Sequence, residues 1–172
     1  MDDSIDALLL GRDVVEYVLV DNEFHHPDFS SLPGSGYSKM LHFQYSHCIK
    51  FCVAKIISSN RGAFEFIYED LDNDIKWKDP QGLAFYLMEA VPLYFPYGYT
   101  VVSFLSYCAV ACSAVVHYYS TVERCAFISD VVANVIGTVL TGHMLTGEFF
   151  DRGGWKRLSE MSEIVEQNID LQ

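Results

Sequence analysis

The sequence predicts a mainly α-helical fold, a single-domain irregular (orthogonal) helical bundle of about six helices around a central apolar helix. Apolar residues recur every three to four positions in most segments, which is the helical period. Two long stretches are apolar at nearly every position, which is typical of helices surrounded by other helices. The chain has 172 residues and 51% of them are apolar, enough for one core, so we expect one helical domain over 1–172.

The first two helices are predicted from apolar periodicity at about 4–20 and about 37–58. The segment between them, 21–36, is rich in His, Pro, Gly and Ser and is predicted to be a loop. The apolar face of the first helix is expected to comprise Leu8, Val15 and Leu19, with Ile5 and Leu9 beside them.

The stretch 64–68 is the ambiguous one, because its alternating Phe64, Phe66 and Tyr68 suggest a short strand. A lone strand has nothing to pair with, so a short helix is the alternative. The acidic run 69–74 that follows is expected to be a loop.

Four further helices complete the prediction. Asp79 and Pro80 are a typical helix start, an N-cap acid followed by proline in the first turn. This helix is expected to stop before Pro92, because proline restricts the residue that precedes it. The remaining segments are two apolar helices and a final amphipathic one, expected at about 99–119, 121–140 and 155–169.

Charge is the strongest indication of function. The chain has 23 acidic and 11 basic residues, a formal net charge of −12. Such a field repels nucleic acid, which excludes direct DNA or RNA binding, and it favours a basic protein partner. Solubility alone is the alternative explanation of an acidic surface.

The candidate partner-binding residues lie mainly between Arg61 and Lys76, where five acids occur without an intervening base. An EF-hand calcium loop is excluded, since positions six and twelve hold Ile75 and Gln81 instead of Gly and Glu. The five acids of this first group are Glu65, Glu69, Asp70, Asp72 and Asp74. A second group comprises Asp21, Glu23 and Asp28.

A cytoplasmic location is expected. The first residues are acidic, unlike a secretory signal, and the five cysteines do not form a disulfide framework. No Asp, Glu, Lys or Arg occurs between Glu89 and Glu123, so an integral membrane protein using 99–119 and 126–146 is one alternative. Interrupting Ser and Tyr residues, and the lack of a flanking basic cluster, favour buried core helices and no membrane.

No catalytic motif is present, so we predict that the chain is not an enzyme and needs no cofactor or metal. Cys48 and Cys52, and Cys108 and Cys112, each place two thiols on one helix face and could together hold zinc. Cysteine also serves as a small apolar core residue, which the apolar neighbours favour. A small-molecule or metal-binding helical bundle is therefore a second alternative. The aromatic turn 94–99 fits either a binding anchor or a core plug.

In size, charge and composition the chain resembles small acidic immunity proteins of bacterial toxin systems, including those paired with contact-dependent or colicin-type nucleases. The resemblance covers the whole chain and rests on composition rather than on a motif. It implies a toxin inhibitor, whose carboxylates take the place of nucleic-acid phosphates and cover the active-site cleft of a basic toxin domain.

Overall fold

The computed structural model describes residues 3–24, 41–121 and 126–169, and these parts are helical, with no strand among them. Two short 3₁₀ helices, Arg61–Phe64 and Ile75–Lys78, flank the third α-helix. The predicted mainly α-helical bundle is confirmed. Its α-helices are α1 (Asp3–Asp21), α2 (Leu41–Ser59), α3 (Glu65–Asn73), α4 (Pro80–Tyr94), α5 (Val101–Thr121), α6 (Ala126–Leu145), α7 (Glu148–Asp151) and α8 (Gly154–Ile169).

Helix α5 is the centre of the bundle, as predicted. It packs against α1, α2, α3, α4, α6 and α8, and 14 of its 21 residues are buried. Two of its buried tyrosine hydroxyls have partners inside the protein: that of Tyr107 donates to the carbonyl oxygen of Leu87 at 2.8 Å. The Tyr119 hydroxyl lies 2.9 Å from that of Ser129. Buried hydroxyls without such partners would destabilise the fold.

Helices α1 and α6 cross closely because each presents a glycine at the crossing. A Cβ on Gly11 would overlap the carbonyl oxygen of Ala133, and a Cβ on Gly137 would lie 2.8 Å from Leu8 Cα. Val15 and Leu19 are buried as predicted, but Leu8 and Ile5 are 37% and 36% exposed. The predicted apolar face of α1 was therefore partly wrong. Glycines bring the backbones of α1 and α6 together, and a pattern of large apolar side chains does not reveal them.

The ambiguous stretch 64–68 is helical, so the strand alternative is wrong. Phe64, Ile67 and Leu71 are buried at helical spacing, whereas Phe66 is exposed. The expected acidic loop is also wrong, since Glu69, Asp70 and Asp72 lie on α3. Burial of Ile67 and Leu71 stabilises the helix although its outer face is acidic.

Helix α4 begins as predicted, with the Gly82 amide donating to Asp79 Oδ1 at 2.7 Å. It does not end before Pro92 but continues to Tyr94. Pro92 lies in the last turn of α4, where it removes the hydrogen bond to the carbonyl of Met88 and its ring pushes against that carbonyl. Pro92 and Met88 are both exposed, so water can satisfy that carbonyl.

The remaining boundaries differ modestly from prediction. Helix α6 extends to Leu145 rather than ending at Leu140, and the short α7 was not predicted. The final amphipathic helix is confirmed, with Trp155 and Leu158 buried. The predictions for 25–40 and for the junction 122–125 lie outside the described residues.

Two helices are long and apolar enough to cross a membrane by length and composition, Val101–Thr121 and Phe127–Leu145. Within their most apolar windows, 72% and 56% of the residues are buried inside the fold. Core helices of water-soluble proteins meet the same criterion, so neither helix establishes a membrane location.

Candidate protein-binding surface

The acids of α3 project from the outer side of the bundle. Glu65 and Glu69 are exposed and lie one helical turn apart on the same face. Neither forms an ion pair with any residue that the structure describes. Two unpaired carboxylates on one helix face leave a local negative field available to a partner.

Asp72 is engaged inside the protein. Its Oδ1 lies 2.9 Å from His117 Nε2 on α5, and the ring of His117 stacks on Tyr68 with centroids 4.4 Å apart. Both contacts fix the orientation of α3 on α5. Asp72 therefore has a structural partner that Glu65 and Glu69 lack.

Asp74 is likewise used within the chain. Its Oδ1 accepts from the Lys76 amide at 3.1 Å and its Oδ2 lies 3.2 Å from Lys76 Nζ. It thereby caps the 3₁₀ helix that follows α3. Lys76 offsets the charge of Asp74, which makes Asp74 a weaker contributor to the exterior field than Glu65 or Glu69.

Asp70 joins α3 to α4, because the Tyr86 hydroxyl donates to Asp70 Oδ2 at 3.1 Å. Burial, followed by the hydrogen bond and charge of Asp70, raises the pKa of Tyr86 above its usual value. The tyrosine thus stays protonated as the donor. Asp70 itself is exposed, so its carboxylate is also accessible from outside.

A groove of about 550 Å³ opens beside this hydrogen bond, between α3 and α4. Its charged lining groups, Asp70 and Glu89, are both acidic. Phe66 and Leu93 on its walls are 52% and 78% exposed. The groove is lined by Phe66, Asp70, Tyr86, Glu89, Ala90, Leu93, Tyr94 and Val110.

The second predicted group is separate from the first. Asp21 and Glu23 are exposed at the end of α1, and Asp21 raises the pKa of Tyr17, although burial contributes more. Tyr17 packs on Phe51 of α2, so this region belongs to the α1–α2 contact. No hydrogen bond or ion pair among the described residues joins it to α3. Asp28 lies outside the described residues.

The aromatic turn 94–99 mainly fills the core. Phe95 and Tyr99 are buried, while Tyr97 is 94% exposed. Glu148 anchors the turn: its Oε2 accepts from the Tyr99 amide at 2.7 Å and lies 3.2 Å from His143 Nδ1. The hydrogen bond from the Tyr99 amide is the main cause that lowers the pKa of Glu148 below its usual value, and His143 lowers it further. Gly98, with φ +85°, permits this close approach.

The cysteine pairs do not form a metal centre in the part of the chain described, where no three His, Cys, Asp or Glu residues converge as ligands. Cys48, Cys52, Cys108 and Cys112 are free thiols. Burial raises the pKa of Cys52 to about 12 and raises that of Cys108 well above its usual value.

No family model matches the chain, and no curated protein matches its sequence.

Sequence reasoning identified the acids of this surface but missed the groove beside them. The signal was present in α4, where five groove-lining residues recur at i, i+3, i+4, i+7 and i+8. This helix was expected to end before Pro92, which would leave Leu93 and Tyr94 out of the pattern. The five are Tyr86, Glu89, Ala90, Leu93 and Tyr94.

Proposed function

We propose that the chain is a non-catalytic cytoplasmic protein that binds and neutralises a basic protein partner. An immunity protein that blocks a nuclease-type bacterial toxin by covering its active-site cleft is the form that best fits its acidity. One observation carries the proposal: Glu65, Glu69 and Asp70 are exposed on one short helix without a basic partner, in a chain of net charge −12.

The mechanism follows from charge complementarity. A nuclease binds phosphates with lysine and arginine, and carboxylates on a rigid helix can occupy the same positions. Long-range attraction raises the association rate, while desolvated contacts near the acids set the residence time. Fixing α3 to α5 through the contact of Asp72 with His117 keeps the exposed acids preorganised.

The test reverses the charge of α3. The variant Glu65→Lys/Glu69→Lys/Asp70→Lys is used as bait in a lysate of the source organism, beside wild type. The control variant, Asp151→Lys/Glu160→Lys/Glu163→Lys, reverses three exposed acids on α7 and α8. Each reversal adds two positive charges, so both variants shift the net charge equally, from −12 to −6.

We expect wild type and the control to capture a basic protein that the α3 variant does not. The captured protein is then assayed for nuclease activity, which added wild-type chain should inhibit. Capture of no basic protein, or equal capture by the α3 variant, would remove the proposal. A captured partner without nuclease activity would retain the binding function but exclude the nuclease form.

An integral membrane protein is the second candidate, favoured by the two helices Val101–Thr121 and Phe127–Leu145 that are long and apolar enough to span. Fractionation of cells expressing the chain separates the two functions. Recovery in the supernatant without detergent supports the proposed binding protein, whereas recovery only with detergent supports the membrane alternative.

A further inference from the structure

The groove between α3 and α4 has one wall formed by a single face of α4. Its α4 wall is a stripe with the spacing that one helix presents to another, from Tyr86 to Tyr94. At about 1.5 Å per residue the stripe is about 12 Å long, or about two helical turns. No helix among the described residues covers it, because Leu93 is 78% exposed.

The apolar surface extends beyond the groove onto the outer side of α4. Phe85 and Met88 are 60% and 42% exposed, and only Leu83 and Leu87 of this helix are buried. Exposed apolar surface that is rimmed by polar residues marks interaction sites in many proteins.

Charge around the groove indicates what occupies it. Asp70 on α3 and Glu89 on α4 line opposite walls of the groove. Glu65 and Glu69 continue the acidic surface along α3. A membrane with anionic lipids or a second copy of this acidic chain would be repelled. A partner surface with an apolar ridge flanked by lysine or arginine would fit this groove, because the ridge would contact the apolar walls and the basic residues would pair with the acids.

We propose that this groove binds one amphipathic basic helix of the partner, with apolar side chains at i, i+3 or i+4, and i+7. Such side chains span about two turns, the length of the α4 stripe. The apolar anchors contact Phe66, Leu93 and Tyr94, while flanking basic residues pair with Asp70 and Glu89. This inference rests on the proposed function, since it specifies the chemistry of the partner at the same surface.

The test uses a labelled peptide of about 18 residues made of leucine, alanine and lysine, long enough to become helical when bound. Its leucines follow the proposed spacing. A control peptide has the same composition, with leucines distributed around the helix. Fluorescence anisotropy measures binding of each peptide to the full chain.

The protein variants are Phe66→Ala and Leu93→Ala, with Ile75→Ala as matched control. Ile75 is 83% exposed but does not line the groove. All three side chains are exposed, so thermal unfolding should be unchanged, which confirms that each variant is folded. We expect each groove variant to weaken binding of the patterned peptide by at least about tenfold, as for an interface anchor. Ile75→Ala should leave the binding affinity unchanged.

Equal binding of the two peptides, or no effect of Phe66→Ala and Leu93→Ala, would overturn the groove inference. So would binding to neutral phosphatidylcholine vesicles through the same residues, or a dimer in sedimentation that these substitutions dissociate. The outcomes for the groove and for the proposed function can be told apart. If the charge reversal on α3 abolishes capture of the partner while groove variants capture it normally, the acidic surface stands and only the helix-binding groove is wrong.

Discussion

Helices α4 and α5 are alike in sequence and different in environment. Helix α5 contains no Asp, Glu, Lys or Arg, and α4 contains only Glu89. Six other helices surround α5, whereas α4 lies at the edge of the bundle with only Leu83 and Leu87 buried. An apolar composition thus means that a helix needs contacts with other apolar surfaces. Whether the chain itself or another molecule supplies that contact depends on the position of the helix.

The largest expected difference between α5 and α4 is in how much stability the protein loses when a leucine of either helix is replaced by alanine. Leu105 on α5 is 1% exposed and Leu93 on α4 is 78% exposed. We expect Leu105→Ala to reduce the free energy of unfolding by about 2–5 kcal/mol, because it removes buried contacts and leaves a cavity. Leu93→Ala should change it by less than about 0.5 kcal/mol. Urea unfolding followed by circular dichroism measures both, and equal losses would break the comparison.

The next effect concerns the packing of α6 beside this core. Gly137→Ala places a methyl group against the α1 backbone, so we expect a loss of about 1–3 kcal/mol from overpacking. Gly142, on the same helix, has open space around its Cβ position. Gly142→Ala should therefore stabilise the protein by up to about 1 kcal/mol. Opposite shifts in melting temperature are the expected result, and a stabilising Gly137→Ala would contradict the close crossing.

A smaller effect tests how far α4 depends on local interactions. With few buried residues, α4 should be sensitive to its N-cap. We expect Asp79→Ala to reduce the free energy of unfolding by about 1 kcal/mol, because the Gly82 amide loses its acceptor. Asp79→Asn should retain most of the stability, since asparagine caps comparably. Equal losses in urea titrations of the two variants would exclude capping as the cause.

The smallest effect is a dependence on pH at the turn that joins α4 to α5. The folded-state pKa of Glu148 is lowered, so its contribution is present above the unfolded-state pKa and is lost as pH falls through the folded-state pKa. Wild-type stability should therefore fall as pH drops below about 4.5, more steeply than that of Glu148→Gln. Glu163→Gln, at an exposed site on α8, is the control, and its stability should depend on pH as that of wild type does. Identical profiles for all three proteins would contradict a role for Glu148.

The sequence predicted those parts of the fold that depend on local patterns. The N-cap at Asp79 and the apolar period of α5 and α8 are local and were recognised. The helix at 64–68 was left open because burial of Ile67 and Leu71 depends on α5, which is distant in sequence. The exposure of Leu8 depends on the Gly11–Gly137 crossing, a tertiary feature with no signal in either helix alone.

The candidate surface was predictable to a similar extent. A run of acids is visible in sequence, and it indicated α3. Which acids remain unpaired depends on His117 and Lys76, and the contact with His117 spans 45 positions. The groove depends on α4 lying at the edge, which the sequence of α4 does not reveal.

Amide hydrogen exchange in detergent-free buffer tests most directly that α5 is buried by its own chain while α4 lies at the edge. We expect the α5 amides to exchange only through global unfolding, and those of α3 and the outer turns of α4 to exchange faster. Exchange of α5 as fast as that of α4, or a protein that stays in solution only with detergent, would contradict the account.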